Sequence, residues 1–155
     1  MTASKQPGSK MCFLCGVDNP IGLHLDFWTD GEEVWTEFTP REAYQGWPGV
    51  VHGGILATVL DETMGRVAFL HKEWMVTAKM ETTYRKPVLL HEPLTVKAHC
   101  ERWRSGRMIA AGQVLLADGS VAVEARGLYL RVPAAQKDAF LAGLAGQDMD
   151  TSVYE

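Results

Sequence analysis

The chain has 155 residues, a mass of 17.1 kDa and a formal net charge of −4. This length predicts one domain with a core of its own. The acidic balance and the lack of a basic run argue against nucleic acid as a partner. No apolar run can span a bilayer, residues 1–11 lack the apolar segment of a signal peptide, and the three cysteines are an odd number. We therefore expect a cytoplasmic protein with no membrane partner.

The first part of the chain predicts a hairpin. Residues 1–10 are small and polar and are expected to be frayed. Residues 23–28 alternate in polarity, as a strand does, and Asp30-Gly31 then indicates a turn. Residues 34–38 are the returning strand, which Pro40 ends.

The rest of the chain predicts one long helix followed by four strands. Residues 53–70 carry apolar side chains at spacings of three and four, which is typical of a helix. The strands are expected at 75–84, 94–103, 108–116 and 121–132, and a short exposed helix at 134–144 precedes a loose acidic tail. Short turns between successive strands favour an antiparallel sheet. Because a single apolar helix must bury its face on that sheet, the fold class is α+β.

The stretch from residue 45 to residue 62 is the most informative part of the chain. His52-Gly53-Gly54 opens the helix, where free N–H groups attract negative charge, and Asp61 lies within the helix. A tight loop with a packed histidine would explain the glycines alone. Free N–H groups that can polarise a carbonyl, together with a carboxylate that can act as acid or base, are the two halves of an acyl-transfer site. Gly54 and Asp61 are, however, about 10 Å apart along the helix axis, so within one helix they cannot both act on the same acyl carbon. A two-fold partner with an antiparallel helix would join them, so we predict a composite site in a dimer.

Other polar residues have both ordinary and functional interpretations. Glu62 points about 100° away from Asp61 and is expected to pair with Arg66, four residues further along. Cys12 and Cys15 have the spacing of a zinc pair, but a structural site needs four ligands and the histidines lack the matching spacing, which favours a packed turn.

Basic residues occur at two predicted turns. Arg85 and Lys86 follow the first long strand, and Arg104 and Arg107 flank Ser105-Gly106. Their ordinary interpretation is solvated surface charge. Their functional interpretation is a clamp for the phosphates of a carrier, since arginine binds phosphate through two parallel hydrogen bonds.

The chain resembles the hotdog-fold thioesterases of the PaaI-like group. The resemblance covers about residues 12–132 and rests on several motifs in the same order. They are Cys12-Phe13-Leu14-Cys15-Gly16 with the following Asn19-Pro20-Ile21-Gly22-Leu23, Gln45-Gly46-Trp47-Pro48-Gly49, His52-Gly53-Gly54, Asp61-Glu62 and the segment 80–87. It implies a hotdog fold in which an antiparallel sheet wraps a long helix. It also implies homodimers, often paired into tetramers, that hydrolyse acyl-CoA thioesters without a metal or another cofactor.

The resemblance also assigns roles to individual residues. The backbone N–H groups of Gly53 and Gly54 would polarise the thioester carbonyl, and His52 would order this turn or assist there. Asp61 would be the nucleophile or the general base, and Thr77 would position the attacking water. Gln45 stands near where some relatives carry an asparagine, so it would contact the carbonyl or shape the loop. With Glu62, Arg85, Arg104 and Arg107 it completes the expected substrate-binding set.

These expectations combine into one hypothesis and several alternatives. Residues 1–11 are a flexible N-terminus, residues 12–133 the hotdog thioesterase domain, and residues 134–155 a short helix and tail. The hypothesis is an acyl-CoA hydrolase whose site is shared by two subunits. The alternatives are a hotdog protein that binds acyl-CoA or another apolar ligand without turnover, an acyl-ACP thioesterase, and a hotdog dehydratase.

Overall fold

The computed structural model describes residues 2–146 and contains one antiparallel sheet and two α-helices. The strands are β1 (Ser4–Lys5), β2 (Trp28–Thr29), β3 (Glu33–Phe38), β4 (Met75–Tyr84), β5 (Leu94–Arg104), β6 (Arg107–Leu115) and β7 (Val121–Arg131). The helices are α1 (Gly53–Gly65) and α2 (Ala134–Ala145), and short 3₁₀ helices cover Glu42–Tyr44 and Arg66–His71. No helix in residues 2–146 combines the length and the apolar character needed to cross a membrane.

The seven strands lie in the order β1-β2-β3-β5-β6-β7-β4. Every neighbouring pair is antiparallel, as the short turns predict. The strand β4, which follows α1 in the chain, crosses to the far side of the sheet, where β7 is its one partner strand among residues 2–146. It therefore has one free edge, and seven of its ten residues are exposed.

The helix α1 packs on the concave interior of this sheet and forms the centre of the core. Its contacts run from β3 across β5, β6 and β7 to β4. Leu56, Val59, Leu60 and Met64 are buried there, at spacings that place them on one face of the helix. Gly112 of β6 allows the close approach, since a Cβ there would lie 3.0 Å from Met64 Cγ. Burying an aliphatic side chain of this size contributes about 1.5–3 kcal/mol.

Most of the predicted elements are confirmed, but one predicted strand is shorter than expected and the long predicted helix is only partly α-helical. The first hairpin strand is shorter than residues 23–28, because only Trp28–Thr29 pairs with β3. The predicted helix 53–70 is α-helical only to Gly65 and then tightens into the 3₁₀ helix, which ends at Lys72 in a left-handed conformation (φ 55°). The acidic tail falls outside residues 2–146.

The N-terminal segment differs from the expected frayed chain. Ser4–Lys5 pairs with β2, and the Gln6 backbone N–H donates to the Phe27 carbonyl at 2.8 Å. Arg66 explains this order, because its guanidinium donates to the Pro7 carbonyl at 2.8 Å. A buried cation directly after α1 therefore holds the segment, through a contact between residues 59 positions apart that local sequence cannot show.

Candidate active site

Asp61 lies at the centre of a small hydrogen-bonded cluster. Its Oδ1 accepts from the Thr77 hydroxyl at 2.7 Å and from the Tyr129 hydroxyl at 3.0 Å. The two donors come from β4 and β7, which are neighbours in the sheet. Both are neutral, and Asp61 is only partly buried. The carboxylate is therefore held in one orientation by donors that leave its charge uncompensated.

The Tyr129 hydroxyl is a donor at every pH near neutrality. Burial is the main reason that its pKa lies well above the ordinary value, and the negative charge of Asp61 raises the pKa further. Gly127 makes room for the ring, because a Cβ at Gly127 would lie only 2.6 Å from Tyr129 Cε2. Gly127 and Tyr129 are on the same face of β7, so the missing side chain at Gly127 leaves room for the phenol ring beside Asp61.

Thr77 is directed to Asp61 by an irregularity in β4. The register between β4 and β7 shifts between Thr77 and Lys79, so Ala78 has no partner. A bulge of this kind re-aims the adjacent side chains and is common next to active sites. The hydrogen bond from the Thr77 hydroxyl to Asp61 is observed. That Thr77 positions the attacking water stays a prediction.

Beside Asp61 is a cleft of about 340 Å³ with an aromatic wall. Phe69 and Phe140 lie on either side of Trp74, each with its ring centroid 6.3 Å from that of Trp74. Val76 and Tyr129 also line the cleft. Phe140 belongs to α2, so the helix expected to be merely exposed contributes one wall.

The glycine turn forms the N-terminus of α1, as predicted. His52 is the N-cap, and its Nδ1 accepts from the Gly54 N–H at 2.9 Å. The Gly54 donor is therefore engaged by His52. The Gly53 N–H has no hydrogen-bond partner among residues 2–146, which leaves it open to an incoming oxygen. The geometry thus separates the two glycines that the sequence treats alike.

Tyr84, at the end of β4, supports this turn. Its hydroxyl donates to the Gly53 carbonyl at 2.8 Å, and its ring lies against the position where a Cβ of Gly53 would be. Gln45 also stabilises the loop, because its Oε1 accepts from the Gly49 N–H at 2.7 Å. A second cleft of about 450 Å³ opens here, beside His52, Gly53 and Trp47, which is 82% exposed.

Within one chain the two halves of the site are apart. The Asp61 cleft and the glycine-turn cleft share no lining residue. Each half is fixed to a different end of β4, one through Thr77 and the other through Tyr84. Seven residues of strand separate these two, which corresponds to about 20 Å.

Glu62 is placed away from Asp61, as its helical position predicts. Its Oε1 accepts from Arg66 Nε at 2.9 Å, which is the expected i,i+4 ion pair. Arg66 also donates to Cys15 Sγ at 3.0 Å and is almost fully buried. Glu62 still borders the Asp61 cleft.

The basic residues do not form one patch within a chain. Arg104 and Arg107 are exposed, pair across the β5–β6 turn, and make no ion pair with a described residue. Arg85 lies beyond the opposite end of β4 and pairs with Glu124 at 2.6 Å. A phosphate-binding role for these residues stays a prediction.

Three contributions were not anticipated from the sequence: Tyr129, Tyr84 and the aromatic wall. Tyr129 and Tyr84 lie in strands whose sequence pattern predicts a place in the sheet but no functional role. A polar hydroxyl at an inward position of β7, two residues after a glycine, was the available signal for Tyr129. The wall joins residues from α2 and the segment around 69–74, a contact that no local pattern encodes.

A long helix wrapped by one antiparallel sheet, with a glycine turn at its start and a carboxylate two turns later, defines the hotdog fold. The predicted fold class is thus confirmed. The sequence profile of the thioesterase superfamily matches residues 48–123, which include the turn, Asp61 and Thr77. Residues 48–123 of the chain therefore form a thioesterase superfamily region.

Individual relatives agree with this assignment. The acyl-coenzyme A thioesterase THEM4 of Mus musculus is 29% identical over 89 residues, which are 57% of this chain and 38% of that protein. The chain thus matches well under half the length of this curated relative. A crystal structure of a thioesterase superfamily protein is 31% identical with a TM-score of 0.73, covering 78% of this chain and 60% of the other.

A further crystal structure is a hypothetical thioesterase from Streptococcus pneumoniae TIGR4, solved with coenzyme A. It is 21% identical with a TM-score of 0.63, and the match covers 65% of this chain and 82% of that one. At this identity the likeness establishes the fold.

Proposed function

We propose that the protein hydrolyses an acyl-CoA thioester to a free acid and CoA, at a site completed by a second copy of the chain. The observation that carries the proposal is Asp61, a carboxylate oriented by two neutral donors beside an apolar cleft. The mouse relative is named an acyl-coenzyme A thioesterase, and the streptococcal structure contains coenzyme A. Both support the same substrate class.

The free edge of β4 supports a two-fold dimer. A long, exposed edge strand is a template for pairing with another strand. Antiparallel pairing of two β4 strands would lay the Thr77 end of one beside the Tyr84 end of the other. Asp61 of one chain would then face the glycine turn of its partner. Further pairing of dimers into tetramers is an expectation from the resemblance alone.

In the proposed reaction the thioester carbonyl oxygen would bind the Gly53 N–H at the helix N-terminus, an oxyanion-hole arrangement. The Gly54 N–H would join it only if the His52 side chain turned away. Asp61 would take a proton from water as the oxygen attacks the carbonyl carbon. The C–S bond then breaks, and the CoA thiolate receives that proton. Direct attack by Asp61, through an anhydride that water hydrolyses, is the other route.

The two ends of the substrate would lie on different surfaces. The aromatic wall of Phe69, Trp74 and Phe140 beside Asp61 suits the acyl group, because it is apolar and next to the reacting carbon. Arg104 and Arg107 are free to bind phosphate at the Met75 end of the sheet. Antiparallel β4 pairing would bring Arg85 of the partner to the same end.

Hydrolysis of a panel of acyl-CoAs by the purified protein tests the function. We expect hydrolysis of at least one of them, measured as the release of the free CoA thiol. Tight binding of acyl-CoA with no turnover would favour a binding protein. Turnover of acyl-ACP alone would favour that carrier. We propose a cytoplasmic location, because the three cysteines are free thiols in the structure.

Complementation tests the shared site. Asp61→Asn subunits and Gly53→Pro subunits are mixed, unfolded and refolded together; proline removes the N–H that the carbonyl would need. Heterodimers should regain part of the activity, because one of their two sites has both halves intact. No recovery in heterodimers shown to form would place the site within one subunit. Refolding each variant alone is the control.

A further inference from the structure

Two cysteines and a carboxylate that are separate in the sequence meet beside the last turn of α1. A thiol sulfur from each of Cys12 and Cys15 and a carboxylate oxygen of Glu62 all lie within 4.8 Å of one another. Cys15 is buried, and Cys12 and Glu62 are partly buried. The sequence offered only the cysteine pair; the fold supplies the third group from a helix 47 residues away.

The turn that carries the cysteines has the geometry of a metal-binding loop. The Leu14 N–H donates to Cys12 Sγ at 3.3 Å, and the Gly16 N–H donates to the Cys12 carbonyl at 2.8 Å. Gly16 follows the second cysteine where no side chain fits, since a Cβ would lie 2.4 Å from the Cys12 oxygen. The turn therefore holds both sulfurs on one side.

With a divalent metal bound, the charges of the cluster would balance. Two thiolates and one carboxylate carry three negative charges, and Arg66 supplies one positive charge. Arg66 donates to both Cys15 Sγ and Glu62 Oε1, so it orients two of the three groups as an outer partner. A divalent ion would bring the total charge to zero.

We propose that Cys12, Cys15 and Glu62 bind a zinc ion that joins the N-terminal segment to α1. Thiolate ligands select zinc over magnesium or calcium. In a tetrahedral zinc site, ligand atoms are about 3.5–3.8 Å apart, given bonds of about 2.0–2.3 Å. The three groups reach this spacing with shifts of about 1 Å or less. Water takes the fourth position, and the thiol protons of Cys12 and Cys15 leave to solvent as the ion binds. The ion would link two parts of the fold and would be separate from the hydrolysis proposed at Asp61.

Cobalt(II) titration of the full-length, reduced and metal-free protein tests this site. Bound to thiolates in a tetrahedral site, cobalt gives a sulfur-to-metal charge-transfer band in the near ultraviolet. We expect the band to saturate at one equivalent and to disappear when zinc is added. Zinc should also raise the Tm of the wild-type protein. Neither readout depends on hydrolytic activity, so failure here leaves the proposed function untouched.

Variants separate this site from adventitious binding. Cys12→Ser and Cys15→Ser should lose the band, and Glu62→Gln, which keeps the side-chain shape, should weaken metal affinity about tenfold or more. Cys100→Ser, on β5, is the matched control and should bind as the wild type does. The proposal is overturned if wild-type protein shows no charge-transfer band. It is equally overturned if the band survives in folded Cys12→Ser and Cys15→Ser, or if these cysteines form only a disulfide and bind no metal.

Discussion

Asp61 and Glu62 are consecutive carboxylates on one helix, yet they occupy opposite electrostatic environments. Asp61 is held by two neutral hydroxyls and faces an open cleft. Glu62 is paired with Arg66, whose side chain is only 5% exposed and which also binds Cys15 and the Pro7 carbonyl. Consecutive residues on a helix point about 100° apart, so Asp61 and Glu62 face two different surroundings from the same helical turn. We therefore assign the chemistry to Asp61, whereas Glu62 stabilises the fold through its ion pair with Arg66.

The largest expected effect is on catalysis by Asp61. Asp61→Asn keeps the size and the hydrogen bonds to Thr77 and Tyr129 but cannot take a proton. We expect kcat for acyl-CoA hydrolysis to fall by about 10²–10⁴-fold, the range for a lost acid–base group. The Tm should change little.

Glu62→Gln is the matched control for that comparison. It should retain most of the activity while lowering stability, because the Arg66 ion pair is lost. If Glu62→Gln abolished hydrolysis and Asp61→Asn did not, the two roles would be reversed.

The next effect is on stability and concerns Arg66. Arg66→Met removes the buried guanidinium and leaves Glu62, Cys15 and the Pro7 carbonyl without their donor. We expect the free energy of unfolding to fall by about 2–4 kcal/mol; Glu62 is 28% exposed, which puts this somewhat below the cost for a fully buried pair. Urea unfolding measures it.

The control is Lys5→Met, which breaks the Lys5–Asp26 ion pair in the same N-terminal segment. Both of its side chains are more than half exposed, so the expected loss is below about 1 kcal/mol. Equal losses in the two variants would mean that Arg66 does not anchor the segment.

A smaller effect is expected from the donors that orient Asp61. Tyr129→Phe and Thr77→Ala each remove one hydrogen bond to Oδ1. A hydrogen bond to a charged group contributes about 1.5–3 kcal/mol, so we expect kcat to fall by about 10–100-fold for each. Steady-state kinetics measure the fall, and Tyr44→Phe, which removes an Arg41 contact near the glycine turn, is a control for loss of a phenol. Unchanged kcat in both variants would show that Asp61 needs no orientation.

The sequence predicts the fold better than the site. The turns between them place the four long strands within one or two residues, because turn signals are local. The glycine turn, Asp61 and the Glu62–Arg66 pair also follow from helical spacing. Tyr129, Phe140 and the meeting of Glu62 with Cys12 and Cys15 depend on which strands and segments become neighbours. Such contacts join residues 47 to 68 positions apart, and no periodic pattern encodes them.

The smallest expected effect concerns the carrier and compares the acyl end with the nucleotide end of the substrate. Arg104 and Arg107 face solvent at the β5–β6 turn, without an ion-pair partner among the described residues. If they bind the CoA phosphates, Arg104→Ala with Arg107→Ala should raise KM several-fold and leave kcat nearly unchanged. The reason is that this contact is remote from the reacting carbon and acts equally on ground and transition states. Because each contact is exposed to solvent, its contribution is about 1 kcal/mol or less. A short acyl-pantetheine thioester lacks the nucleotide and should show no change in KM. Equal losses on both substrates would assign these arginines to the hairpin itself.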